Sequence, residues 1–180
     1  MKKNELIIAL ERNYAAFIKY IDSLSIEAYN YSVEGKWSAS LHLSHLILSV
    51  QPLTYVFELN KTAIAEKFGS TTKRRRSYEE MKTFYFEKLK DGGKAPDRFV
   101  PDSETVRPQT VLSEKLRSLV NQLGISIEKF SEDELDTLCI PHPLLGSLSL
   151  REMLYNAIYH AEHHQNLIIK MLNDKLDNTN

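Results

Sequence analysis

Residues 149–170 read SLREMLYNAIYHAEHHQNLIIK, and this stretch decides which fold the rest of the chain can build. Ser149 followed by Glu152 has the spacing of a capping box, which predicts the start of a long helix. His163 falls on a polar stripe of that helix and is predicted to face water or the rim. Steps of three and four residues give the inward stripe, which is apolar except for two central imidazoles: Met153, Ala157, His160, His164, Leu167 and Met171.

The two inward histidines predict a metal site. Side chains four residues apart on a helix have Cβ atoms about 6 Å apart, so His160 and His164 can bind one ion together. His45 supplies a third ligand, because it lies between Leu41 and Leu48 on the apolar side of another predicted helix. Three imidazoles with a fourth position left open are typical of a catalytic zinc site. The predicted ion is zinc or nickel, with iron, cobalt or manganese as alternatives, since neutral nitrogen ligands discriminate poorly on affinity.

The competing interpretation is that these histidines are ordinary core or surface residues. A single histidine is more often that than a ligand, but two neighbouring buried imidazoles each need a polar partner, and the stripe offers none. Glu162 lies roughly 200° round the helix from His160, so we do not expect it to act as a general base. His142, in a proline-bracketed segment, and Tyr55 are predicted to line the cavity beside the ion.

The rest of the chain predicts an all-α fold. Amphipathic helices are expected over residues 3–24, 38–68 and 109–130, with Gly69 ending the second and a shorter aromatic-rich helix beginning at Ser77. Residues 92–108 hold three prolines and two glycines and predict a long ordered loop. Strand patterning is nearly absent. We therefore predict one domain over residues 1–180, a four-helix bundle with extra short helices and a long Pro/Gly loop.

The composition limits which binding partners and which cellular compartment we expect. The net charge is −1, which gives no electrostatic reason to expect nucleic acid or an anionic membrane. The basic run Lys73–Arg76 is interpreted as a solvated loop, with a phosphate or nucleic-acid patch as the alternative. No apolar run approaches the roughly 20 residues that span a bilayer. Cys139 is the single cysteine, which excludes an intramolecular disulfide and favours a reducing, cytoplasmic location.

Several motifs together resemble the DinB/YfiT-like superfamily. They are the Trp37-Ser38 pair followed by His45, a Gly-Lys-Ala-Pro loop at residues 93–96, the turn from His142 to Gly146, and the distal HxxxH. The resemblance covers about residues 6–171. It implies a four-helix bundle that holds a divalent metal through three histidines, matched here to His45, His160 and His164. It implies nothing for His42, His142 or His163.

The resemblance also implies a class of activity. Characterised relatives include S-transferases that use bacillithiol or mycothiol and a thiol-dependent maleylpyruvate isomerase. We therefore expect a metal-dependent S-transferase that joins a low-molecular-weight thiol to a small electrophile. The alternatives are a metal-dependent hydrolase of small molecules, and a non-catalytic metal-binding or interaction protein whose site is closed by His142 or His42. A homodimer is expected from the family and from a surplus of aromatics on one helix: Tyr78, Phe84, Tyr85 and Phe86.

Overall fold

A computed structural model describes residues 1–73, 75–102 and 108–177, apart from the side chain of residue 176. Within these residues the predicted fold class is confirmed, because four long helices form a bundle. A 3₁₀ turn, Asp97–Phe99, lies in the long loop. The helices are α1 (Lys3–Asp22), α2 (Ile26–Asn30), α3 (Ala39–Glu58), α4 (Lys61–Phe68), α5 (Tyr78–Lys90), α6 (Gln109–Ile127), α7 (Glu132–Thr137) and α8 (Leu150–Asp177).

Serine side chains begin α8, α5 and α3 at the predicted positions. The Ser149 hydroxyl accepts the Glu152 backbone N–H at 3.2 Å, and the Glu152 carboxylate accepts the Ser149 N–H at 3.0 Å. Ser77 and Ser131 begin α5 and α7 with the same capping box, and Ser38 caps α3. These caps satisfy backbone donors that the first helical turn leaves without partners.

Helix α8 lies at the centre of the packing. It contacts α1, α3 and α5, while α6 packs against α1 and α3. Residues 151–159 are buried on every side, so the predicted polar stripe of Glu152, Asn156 and Tyr159 is also inside. Burial of the Glu152 carboxylate is offset by Arg76, whose guanidinium lies 3.1 Å away. Leu167, predicted to point inward, is 40% exposed.

The second predicted helix is two helices. Leu59 is extended, and the Asn60 side chain accepts the Thr62 N–H at 2.8 Å, which begins α4. Asparagine is a strong N-cap because its side-chain oxygen replaces the missing intrahelical acceptor. Gly69 ends α4 at φ +86°, as predicted, a conformation that glycine adopts without steric cost.

A small hairpin stands where the sequence predicted only an extended segment. Strand β1 (Cys139–His142) pairs antiparallel with β2 (Gly146–Ser149), and His142 lies opposite Gly146. Each strand has four residues, too few for an alternating pattern to be visible in the sequence. The hairpin packs against α8 and places His142 beside that helix.

The long loop packs directly onto the tip of this hairpin. A Cβ atom added to Gly93 would lie 2.5 Å from Leu144 Cδ1 and 2.6 Å from the Lys88 carbonyl oxygen, so only glycine fits. The 3₁₀ turn follows, and residues 103–107 of the predicted loop lie outside the described residues. The loop and the hairpin therefore form one wall.

Two arginines of the basic run contact acidic residues. Arg75 contacts Asp136 of α7 at 3.2 Å and Arg76 contacts Glu152, whereas Arg74 lies outside the described residues. Cys139 is a buried free cysteine, and burial raises the pKa of its thiol, so it is a packing residue. None of the described helices is both long enough and apolar enough to cross a bilayer.

The aromatics of α5 are largely accounted for by this chain. Tyr85 is buried, Tyr78 and Phe84 pack against the core, and Phe86 is 37% exposed. These rings no longer support a homodimer, and dimerisation stays a prediction without a test.

Candidate metal centre and its cavity

Three histidines from two helices meet inside the bundle. The Nε2 atom of His160 lies 2.8 Å from Nε2 of His164 and 3.2 Å from Nε2 of His45. Their candidate ligand atoms all lie within 4.8 Å of one another. Nitrogens bound to one tetrahedral ion at about 2.0–2.1 Å are roughly 3.3 Å apart. The three predicted ligands, His45, His160 and His164, therefore lie close enough together to bind one ion.

The protonation of His45 fits a metal ligand. Its Nδ1 lies 2.7 Å from the backbone carbonyl oxygen of Phe99. A carbonyl oxygen can only accept, so Nδ1 carries the hydrogen. Burial lowers the pKa of His45, although the Phe99 hydrogen bond opposes this, and the ring is neutral. Nε2 therefore has a free lone pair, and that lone pair faces the other two histidines.

The other two imidazoles are neutral as well. Burial and neighbouring imidazoles hold the pKa of His160 and of His164 well below its usual range. Each neutral ring has a single N–H, so three converging ring nitrogens present lone pairs more than hydrogens. Such a group suits a cation better than a hydrogen-bond network. The donor set consequently fits a divalent ion.

Trp37 and His42 surround this cluster on the α3 side. The Trp37 ring centroid lies 5.0 Å from that of His45, 5.7 Å from that of His42 and 6.4 Å from that of His164. Nδ1 of His42 lies 2.7 Å from Nδ1 of His164, the ring nitrogen on the side away from the cluster. The cluster is thus shielded by an aromatic ring and supported by a fourth imidazole.

The remaining two histidines stay outside the three-histidine group. His163 is partly buried beside Tyr85, with ring centroids 5.7 Å apart. His142 lies on the cavity wall, where its Nδ1 accepts the N–H groups of Leu144 and Leu145 at 3.1 Å each. Burial lowers the pKa of His142 to about 4, so it is neutral at pH 7.

A cavity of about 430 Å³ opens from the cluster, within the size range of small-molecule sites. His45 and His160 lie in its wall, together with residues of α3, α5, the long loop and the hairpin. Most of the lining is apolar. Among the described residues, its charged side chains are Lys94 and Arg98 of the loop, and none is acidic.

Tyr55 was predicted to line this cavity, and that prediction is wrong. Its side chain is 61% exposed and does not belong to the cavity wall. Ten residues at 100° each carry Tyr55 about 280° round α3 from His45, which is about 80° in the direction away from Ser49. The cavity face instead continues from His45 through Ser49, Leu53 and Val56, at helical spacing.

Sequence reasoning missed three contributors to the site. The Phe99 carbonyl belongs to the backbone, so no residue type could reveal it. Lys94 and Arg98 carried no signal, because their role depends on how the loop folds over the cavity. Trp37 was noticed as part of a motif, and its contacts with three imidazoles give that motif a physical meaning.

The fold and the three-histidine cluster define a class of helical bundles with a candidate metal centre. The chain belongs to the DinB superfamily, whose family model matches residues 9–168. No match was found among curated proteins.

Two solved structures share the fold. YfiT from Bacillus subtilis, described as a probable metal-dependent hydrolase with an unusual four-helix bundle topology, superposes with a TM-score of 0.62 at 16% identity, over 96% of this chain and 87% of that one. The colibactin self-resistance protein ClbS, in complex with a double-stranded DNA, superposes with a TM-score of 0.60 at 20% identity, over 95% of each chain. At these identities the likeness concerns the fold alone.

The ClbS complex corrects one expectation. Nucleic acid was excluded as a partner because the net charge of this chain is −1. A protein of the same fold is bound to double-stranded DNA, so the exclusion is wrong. Net charge describes the whole molecule and does not decide what one face of this fold can bind.

Proposed function

We propose that this protein is a metal-dependent S-transferase that joins a low-molecular-weight thiol to a small electrophile, as in detoxification. The observation that carries the proposal is the convergence of three neutral imidazoles at one end of a cavity whose described charged residues are both cationic. The volume of about 430 Å³ suits a small thiol beside a small electrophile.

His45, His160 and His164 would hold a divalent ion, with zinc or nickel the first candidates and iron, cobalt or manganese the alternatives. When bound, such an ion would lower the pKa of a thiol or a water molecule at its open position. The protein itself fixes the His45 ring through the Phe99 carbonyl. Trp37 keeps solvent from the α3 side, and the apolar wall excludes water from the electrophile.

The charge of the cavity favours a thiol that carries an anionic group. Lys94 and Arg98 are exposed at the wall, and no acidic side chain among the described lining residues opposes them. A cleft lined by one sign of charge concentrates ligands of the opposite sign.

The test is thiol consumption with a model electrophile. Purified protein loaded with Zn²⁺ or Ni²⁺ is mixed with bacillithiol and chlorodinitrobenzene, and the conjugate is measured. We expect His160→Ala to lower the rate at least roughly 100-fold, because a two-histidine site loses the ion. The matched control is His163→Ala, three residues away and outside the cluster, which should keep wild-type activity. Equal rates for wild type and His160→Ala would contradict the proposal.

Hydrolysis is the second candidate, because YfiT, a structure of this fold, is described as a probable metal-dependent hydrolase. It predicts turnover of an activated ester without any thiol, again lost in His160→Ala. Double-stranded DNA enters as a ligand to be tested, because ClbS binds it. A short duplex added to the transferase assay would inhibit the reaction if DNA binds over the entrance of the cavity.

A cytoplasmic location remains our proposal. It is supported by the single Cys139, which is buried and free, since a reducing compartment leaves such a thiol intact.

A further inference from the structure

His42 has no role in the predicted ligand set, yet it is buried beside the site and contacts two of its rings. It is 6% exposed, and its ring lies edge-on to Trp37. Its Nδ1 lies 2.7 Å from Nδ1 of His164. Two ring nitrogens at that distance must share one hydrogen, so one donates and the other accepts.

The direction of this hydrogen bond decides whether His164 can bind an ion. A neutral imidazole carries one N–H. If Nε2 of His164 carried it, the hydrogen would point at His160, whose Nε2 is 2.8 Å away, and no ion could bind there. If Nδ1 carries it, Nε2 has a free lone pair directed into the cluster. An acceptor on the Nδ1 side selects the second arrangement.

We propose that His42 is a positioning residue for the metal site. Its Nδ1 accepts the Nδ1–H of His164, which fixes the ring and keeps Nε2 of His164 available for the ion. The Phe99 carbonyl does the same for His45. The inference rests on the proposed metal site, and it adds a specific support for one of the three ligands.

The chemistry of the support has a consequence for the ligand. Metal-bound histidines often donate to a carboxylate, which adds a negative charge near the ion. Here both identified acceptors, an imidazole and a backbone carbonyl, are neutral. Three neutral ligands, two of them with neutral acceptors, add no negative charge near the ion, which favours an anionic molecule at the open position.

The geometry argues against His42 as a fourth ligand. Its contact is with the outward nitrogen of His164, and it does not belong to the group of ligand atoms that lie within 4.8 Å of one another. His142 is likewise outside that group, with Nδ1 used by two backbone N–H groups. Neither His42 nor His142, the two residues considered from the sequence as a fourth ligand, belongs to the cluster.

The experiment measures metal binding and not activity. Zn²⁺ affinity is determined by competition with a chromophoric chelator for wild type, His42→Leu, His42→Gln and the control His163→Leu. We expect His42→Leu to bind Zn²⁺ roughly 10- to 100-fold more weakly, the usual cost of losing such a support. His42→Gln keeps an acceptor oxygen and should recover most of the affinity, and His163→Leu should match wild type.

A second measurement needs no variant. In Zn²⁺-loaded wild-type protein, ¹⁵N NMR of the histidine rings should show His164 with its hydrogen on Nδ1. An Nε2–H on His164, or unchanged Zn²⁺ affinity in folded His42→Leu, would overturn the proposal. A loss of one ligand in the Co²⁺ absorption spectrum of His42→Leu would overturn it in favour of direct ligation. Failure of wild type to bind Zn²⁺ would instead overturn the metal site, and this inference with it.

Discussion

Lys94 and Arg98 are the residues that give the cavity its charge. Both are exposed, and the Arg98 guanidinium lies 4.9 Å from the centre of the Phe99 ring. Neither could be assigned from the sequence, since charged loop residues are usually solvated. His45, His160 and His164 could be predicted, because helical spacing alone brings two of them together. The role of His42 could not, because no sequence spacing shows that its ring meets the outward nitrogen of His164.

Substitution of Arg98 should discriminate between thiols by charge. An exposed charge pair contributes up to about 1 kcal/mol, so Arg98→Gln should raise KM for mercaptoacetate roughly fivefold. KM for the neutral mercaptoethanol should stay unchanged, because that thiol has no anionic group for the guanidinium to bind. Steady-state conjugation rates with each thiol provide the measurement.

Lys90→Gln is the control for this comparison, because Lys90 is an exposed cation at the end of α5 that does not line the cavity. It should leave both KM values at the wild-type level. An equal rise in KM for the two thiols in Arg98→Gln would mean that the arginine shapes the loop and does not bind the anion.

At the scale of elements, the hairpin and the loop determine the cavity wall. The helices and their serine caps could be predicted because period and cap are local signals. The hairpin could not, because its strands are short and contain Pro141, which lacks a backbone donor. The division between α3 and α4 at Leu59 was missed, because the apolar pattern continues across it while the Asn60 cap is a single residue.

Gly93→Ala should disrupt the contact between the loop and the tip of the hairpin. The new methyl group would meet Leu144 and the Lys88 carbonyl oxygen at about 2.5 Å, and a backbone carbonyl cannot move aside as a side chain can. We expect a loss of about 1–3 kcal/mol in the free energy of unfolding, as for other overpacked sites. Urea denaturation measures the loss.

Gly124→Ala is the matched control within α6. Its methyl group would lie 3.3 Å from Glu11 Oε1, the far end of a flexible side chain. Alanine is favoured over glycine inside a helix by up to about 1 kcal/mol. The variant should therefore be as stable as wild type or more so. Equal stability of Gly93→Ala and wild type would show that the loop does not need close contact with the hairpin.

For the whole molecule, buried neutral histidines should make folding sensitive to acid. Burial lowers the pKa of His142 from 6.5 to about 4 and that of His42 to about 3. Below pH 6.5 the unfolded chain takes up protons that the folded chain does not. The free energy of unfolding should therefore be constant above pH 7 and fall as the pH decreases from 6.5 towards 4.

His142→Asn should reduce by one the number of protons that the chain takes up on unfolding in acid. Asparagine keeps an acceptor for the following backbone N–H groups but does not titrate. Between pH 6.5 and 4 the slope should decrease by roughly 1.4 kcal/mol per pH unit. Urea denaturation with EDTA at several pH values, which keeps metal out of the comparison, measures both proteins. Parallel curves for wild type and variant would contradict the assignment.

The hydrogen bond between His45 and the Phe99 carbonyl connects a candidate metal ligand to the loop that lines the cavity. A molecule that binds the segment from Lys94 to Phe99 and restricts its motion also restricts the ring of His45, which is hydrogen-bonded to that segment. Thermodynamic reciprocity then requires that such a molecule tighten retention of the ion by the same factor by which the ion tightens the molecule. A higher equilibrium affinity for Zn²⁺, measured by chelator competition in the presence of acetate, which has the anionic group but no thiol, would be the visible sign of that coupling.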